Sequence, residues 1–191
     1  YRAGFYRGGP VLTSAISGIE QAMWDIKGKA YGLPVYEFLG GACRKHMPVY
    51  CWIGGDRPTQ VAAQAQEKFQ NGYRAVKMNA TAELGWLDSF QRVEETVARV
   101  QAIREVLGDR IGIAVDFHGR VHKSMARVLM KELEPYHLMF IEEPVLCENE
   151  EAFLQLRRHC IVPIAAGERN YTRWGFKNLI TQGGVDILQP D

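Results

Sequence analysis

Along the 191 residues, apolar positions recur first at helical spacing and then in short strand-like runs. Over residues 12–31, Ile16, Ile19, Met23, Trp24, Ile26 and Ala30 fall three to four positions apart, or beside such positions, on one side of a helix. One long helix is predicted there, closed by Gly32 with Pro34 just beyond. A second, short helix through Tyr36, Phe38 and Leu39 is predicted to stop at the Gly40-Gly41 pair. The period then changes. Apolar runs at 48–53, 75–78, 111–117, 138–141, 164–166 and 187–188 predict strands, and the stretches 59–71, 87–107, 123–133, 150–159 and 173–182 predict helices between them. Strands separated by whole helices make parallel βα units, so the predicted fold class is α/β. The repeat suits an open doubly wound sheet and a closed (β/α) barrel alike.

The strand ends favour the barrel. Asp116, Glu142 and Glu168 each close an apolar run, and both intervals, 116 to 142 and 142 to 168, are 26 residues. In a barrel, equivalent strand ends lie side by side at the C-terminal mouth, where such folds keep their chemistry. A dinucleotide-binding sheet would carry a G-x-G-x-x-G turn after its first strand; Gly54-Gly55 is followed instead by Asp56.

Composition narrows the class of partner. With 47% apolar residues and 23 Lys+Arg against 22 Asp+Glu, the chain reads as a globular protein and not as a nucleic-acid binder. No apolar run reaches the roughly 18 residues of a membrane span, and no signal-like segment opens the chain, so a cytoplasmic location is expected. Cys43, Cys51, Cys147 and Cys160 lie in no C-x-x-C spacing and are expected to be reduced and partly buried.

Three acids converging on one mouth repel one another unless a positive charge sits among them. Magnesium, which takes hard oxygen ligands, is the simplest candidate. No His or Cys pair at ligand spacing suggests zinc. The alternative for each acid singly is a helix cap or an arginine partner. Strand residues two apart share a face, so Asp116 and His118 are expected to look into the mouth together, as are Lys77 and Asn79. A lysine there could equally lie along the surface with its head in water, but its stretch is apolar. His122, His137 and His159 are read as structural. A divalent ion, an inward lysine and an acid/base histidine suit removal of a proton next to a carboxylate.

A family resemblance adds to this reading. S-G-I-E-Q-A-M-W-D-I-K-G-K-A-Y-G-L-P-V-Y-E-F-L-G-G (17–41) resembles the helix and linker that join capping domain to barrel in the mandelate racemase branch of the enolase superfamily. I-E-E-P (141–144) and A-G-E-R (166–169) resemble its fourth and fifth strand ends. D-F-H-G-R-V-H-K (116–123) resembles the third-strand motif of the branch's D-galactonate dehydratases. The resemblance implies the C-terminal helical part of an α+β capping domain with its linker over 1–45. It implies strands 1–6 of a partial, modified TIM-type barrel over 46–191.

It also implies that Asp116, Glu142 and Glu168 ligate Mg2+. His118 would be the acid that protonates the departing C3 hydroxyl, and Lys77 would contact the substrate carboxylate or the metal's surroundings. Asp191 would orient a histidine base on a following strand that this chain does not include, so the chain alone is expected to be inactive. Many racemases of the branch carry a second lysine where Asn79 stands, which favours dehydration here. Asn79 and Asn170 are candidate substrate contacts, while Glu143 and Arg169 are expected to point away from the mouth. The aromatic and basic stretch 1–7 reads as packing or subunit contact. The activity implied is Mg-dependent conversion of D-galactonate to 2-dehydro-3-deoxy-D-galactonate and water, in a protein that forms a homo-oligomer when whole. A gluconate or mannonate dehydratase, an acid-sugar epimerase, or a silent metal-binding barrel are the rivals.

Overall fold

The computed structural model describes residues 5–82 and 84–191, so part of the N-terminal aromatic and basic stretch, residues 1–4, lies outside the described residues. The chain divides into two compact units, one up to Pro48 and one from Val49 to Asp191.

In the first unit, α1 (Pro10–Tyr31) begins with a proline in its first turn and ends at Gly32, whose φ of 66° closes the helix in the left-handed region that glycine adopts without strain. Helix α2 (Val35–Phe38) follows, and Phe38 packs edge-on against Tyr31 with ring centroids 5.8 Å apart.

The second unit alternates strand and helix: β1 (Cys51–Trp52), α3 (Pro58–Gln70), β2 (Ala75–Asn79), α4 (Phe90–Leu107), β3 (Gly112–Asp116), α5 (Lys123–Leu133), β4 (Phe140–Glu142), α6 (Glu150–Arg157), β5 (Ile164–Ala166), α7 (Thr172–Thr181) and β6 (Ile187–Leu188). All five strand pairs are parallel, and the six strands lie side by side in chain order. A doubly wound sheet reverses its order at a switch point, whereas consecutive order is that of a barrel wall, which decides between the two predicted architectures.

Strand alternation divides the core. Val76, Met78, Ile113, Val115, Ile141, Ile164 and Ala166 belong to the main core together with Val61 and Ala65 of α3, Ile103 of α4, Leu129 of α5, Phe153 of α6 and Leu179 of α7. Wholly buried Ile, Leu and Phe side chains stabilise the fold by roughly 1.5–3 kcal/mol each, which gives the strand ends a firm base. The alternate positions Ala114, Phe140 and Ala165 form a second, small cluster, with Ile187 packed on it. Among the described residues, no helix is long and apolar enough to cross a membrane. All four cysteines are free; Cys160 is buried and Cys51 and Cys147 are half-buried, but Cys43 is exposed, contrary to the expectation of partial burial for all four.

Candidate active site

The site is built on the residue row that shares a face with the small inner cluster. Parallel pairing sets Asn79 beside Asp116 and Asp116 beside Glu142, with Lys77 one pleat earlier beside Ala114. Ala114 offers only a methyl group. Lys77 rises past it, bringing Nζ to 2.5 Å from Glu142 and 3.1 Å from Asp116. Asp116, Glu142 and Lys77 are 2%, 3% and 9% exposed, so water screens them little. Burial works against the Lys77 charge, but its hydrogen bond to Glu142 and the charge of Asp116 outweigh that and hold its pKa above the ordinary lysine value. Tyr50 and Trp52 face the ammonium at 5.9 and 5.8 Å from their ring centroids, adding cation–π attraction.

His118 reaches the cluster by a route that alternation did not predict. Strand β3 ends at Asp116, and His118 has φ 53°, in the left-handed region. Its backbone N–H donates to Asp116 Oδ1 at 2.8 Å, and this tight turn carries the imidazole back so that Nε2 lies 3.4 Å from Asp116 Oδ2. Trp52 meets the imidazole edge-on, centroids 6.4 Å apart. His122 instead stacks on Trp86 at 4.9 Å, and His137 closes the turn after α5 with φ 49°.

The third acid stands apart. Glu142 pairs with Ala165 on β5, three residues before Glu168, so the equal 26-residue intervals in sequence are not equal positions in the sheet. Glu168 follows Gly167, whose φ is 150° and whose would-be Cβ lies 2.7–2.9 Å from backbone atoms of Gln189; no larger residue fits. The Glu168 carboxylate has a loose contact with Arg169 at 3.8 Å. Among the described residues, no group of three or more His, Cys, Asp and Glu side chains is gathered closely enough to hold a metal ion.

Of the other residues singled out in the sequence, Asn79 is exposed beside Asp116. Asn170 donates its side-chain N–H to Gly175 O at 3.0 Å, and its Oδ1 is buried without a partner among the described residues. Asp191 is exposed. The Arg169 guanidinium donates to the carbonyl of His118 at 2.6 Å and so ties the turn after β5 to the turn after β3.

One contributor escaped the sequence reading. Gln189 donates through Nε2 to Glu142 Oε2 at 3.0 Å, and its place just past the apolar pair Ile187-Leu188, level with the other strand ends, was the available signal. Glu143, expected from the sequence to point away from the mouth, is wholly buried with φ 43°. Its Oε1 accepts the Gly167 N–H at 2.8 Å and its Oε2 has no partner among the described residues. Burial pushes the Glu143 carboxyl up to about 7, against the Gly167 hydrogen bond that pulls the other way. Alternation gives its direction away from the mouth, but no local pattern announces its left-handed backbone directly after β4.

Consecutive parallel βα units with acids, a lysine and a histidine at their C-terminal ends define part of a (β/α)-barrel enzyme. The chain belongs to the enolase superfamily: the model described as "Enolase C-terminal domain-like" matches residues 60–191, and "Mandelate racemase / muconate lactonizing enzyme, N-terminal domain" matches residues 1–40. Over all 191 residues it is 53% identical to a D-galactonate dehydratase of Ralstonia pickettii and 51% identical to one of Pectobacterium atrosepticum. It spans 50% of the length of each. Among solved structures, a mandelate racemase/muconate lactonizing enzyme-like protein from Roseovarius sp. TM1035 matches the whole chain over 52% of its own length, with TM-score 0.94 and 31% identity. A member of the enolase superfamily from Salmonella Typhimurium matches 96% of this chain and 53% of its own, with TM-score 0.90 and 31% identity.

Proposed function

We propose that the chain supplies the metal-binding and acid-catalytic part of a magnesium-dependent acid-sugar dehydratase that converts D-galactonate to 2-dehydro-3-deoxy-D-galactonate and water. The observation that carries the reading is one cluster: Lys77 shared between Asp116 and Glu142, with the His118 imidazole beside the same aspartate. The choice of D-galactonate rests on the names of the relatives.

The residues fit magnesium on two grounds. Their donors are hard carboxylate oxygens, and two buried carboxylates against one ammonium leave a net negative charge, to which Glu168 adds another, so that a divalent cation brings the four side chains to neutrality. Asp116, Glu142 and Glu168 would hold it. When bound, the ion would supply Lewis-acid stabilisation of charge on the substrate's carboxylate oxygens.

Loss of the C2 proton pushes negative charge onto the substrate carboxylate as an enediolate forms. Lys77 brings its fixed positive charge to where that charge develops, in a setting of low water content where it counts for most. His118, as imidazolium, gives its proton to the C3 hydroxyl as the C3–O bond breaks, so the hydroxyl leaves as water. The resulting enol takes up a proton at C3 to give the 2-keto acid. Asp191 orients the base that receives the C2 proton, a role assigned to no other residue of this chain. Asn79 and Asn170 are the candidate contacts to substrate hydroxyls. A polar, uncharged Asn79 in place of a second lysine provides no second base beside Lys77, which favours one-way elimination over proton exchange. A homo-oligomer is part of the proposal for the whole protein.

The test is to incubate the whole protein with D-galactonate, D-gluconate and D-mannonate, with magnesium or with EDTA, and measure 2-keto acid. Keto acid from D-galactonate, abolished by EDTA and restored by magnesium, is the expected result. Turnover confined to another aldonate would overturn the substrate, and turnover undiminished by EDTA would overturn the metal.

A further inference from the structure

Glu143 is adjacent to a proposed ligand yet points away from it, and its contacts join three strand ends. Its backbone N–H donates to Ala165 O at 2.9 Å, and its backbone carbonyl accepts the N–H of Gly119, in the turn that carries His118, at 2.8 Å. Its side chain reaches the next turn, where Oε1 accepts the Gly167 N–H at 2.8 Å. Gly167 is thereby held on one side by the Glu143 carboxyl and on the other by the Gln189 backbone, which leaves no room for a Cβ. Glu168 is the next residue, and among the described residues its own carboxylate has only the loose Arg169 contact. The direction in which Glu168 leaves the sheet is thus set by the peptide before it, and the Glu143 carboxyl grips that peptide.

A wholly buried carboxyl with a left-handed backbone is a costly way to accept one backbone hydrogen bond. An apolar residue would fill the space at less cost if packing were the only need. We infer that Glu143 is a positioning residue: by holding the Gly167 peptide it fixes where Glu168 presents its carboxylate to the cation shared with Asp116 and Glu142. The inference rests on the dehydratase reading for the identity of that cation. It adds a residue whose influence on metal affinity passes entirely through a neighbour.

The test is magnesium binding by isothermal titration calorimetry on the whole protein, with thermal melting recorded alongside. Three variants separate the possibilities. Glu143→Gln keeps an oxygen acceptor for Gly167 and is expected to bind magnesium more like the parent than like Glu143→Leu. Glu143→Leu removes the acceptor and is expected to weaken binding about tenfold or more, the range seen when groups behind a metal ligand are lost. Glu143→Asp draws the acceptor back by one methylene, and is expected to weaken binding while the melting temperature stays near that of the parent, which keeps the test open if the leucine variant does not fold. Parent-like affinity in both Glu143→Asp and Glu143→Leu overturns the inference alone. A parent protein that binds no magnesium overturns the dehydratase reading and the inference with it.

Discussion

Lys77 of β2 and Glu142 of β4, 65 residues apart in the chain, meet at 2.5 Å across the intervening strand β3, whose Asp116 lies 3.1 Å from the same ammonium. A divalent cation would bind the same oxygens, so lysine and metal compete for them, and a lysine released by the metal is free to turn toward an anionic substrate. Lys77→Met keeps most of the stem and removes the charge. It is expected to bind magnesium at least as tightly as the parent by calorimetry, while kcat/KM for D-galactonate falls about 100- to 1,000-fold. Without metal it should melt lower, since stripping one partner from a buried ion pair costs about 3–5 kcal/mol, and magnesium should restore more of that loss than it adds to the parent. Weaker magnesium binding by the variant would contradict the competition.

His118→Asn separates catalysis from architecture. Asparagine tolerates the left-handed backbone that His118 adopts, and the N–H to Asp116 is a backbone bond that survives the change. Magnesium binding and melting temperature should be retained, and dehydration should fall about 100- to 10,000-fold with the loss of the acid. Lost metal affinity would show that the imidazole ligates rather than donates.

Gly167→Ala should be damaging where Gly54→Ala is not. An alanine at 167 meets Gln189 backbone at 2.7–2.9 Å and is held at φ 150°, whereas a Cβ at 54 meets nothing within 4 Å and Gly54 is not in the left-handed region. Urea unfolding should place the first at about 1–3 kcal/mol of lost stability and the second within about 0.5 kcal/mol of the parent. Equal effects would mean that the turn before Glu168 is slack.

Cys147 gives a pH signature. Burial first, and then the Glu148 carboxylate through hydrogen bond and charge, push its thiol up to about 11. Only the thiolate is alkylated, so below that value the reactive fraction rises with every pH step. The rate of iodoacetamide addition to Cys147, followed by mass spectrometry, should increase about tenfold per unit from pH 8 to pH 10 without levelling. A plateau by pH 9 would place the thiol well below 11.

The parts of the fold that were legible in the sequence are those decided locally. Helix α5 and strands β5 and β6 have the bounds that the apolar pattern predicts, 123–133, 164–166 and 187–188. Strand β1 was predicted over 48–53 but is confined to Cys51–Trp52: pairing on a neighbour, which pattern cannot report, sets its length. Helix α4 begins at Phe90 and not at 87, because the Asp88 carboxylate accepts the N–H groups of Gly85 and Ser89 and turns the chain there. Lys77 and Asp116 could be read from alternation because they lie within strands, and Glu142 because it closes an apolar run. His118, Glu143 and Glu168 follow strand ends, where alternation stops and turns with φ of 53°, 43° and, at Gly167, 150° decide direction. Gln189 becomes a partner of Glu142 only through the order of the strands, which no single segment contains.

Acids from three successive βα units are proposed to share one divalent cation. Manganese, which takes the same oxygen ligands as magnesium, can be located directly by anomalous diffraction from crystals of the whole protein. One strong peak bonded to carboxylate oxygens of Asp116, Glu142 and Glu168, with Lys77 displaced from between the first two, is the predicted result. A peak elsewhere, or an ion bound without Glu168 while Lys77 still bridges Asp116 and Glu142, would contradict it.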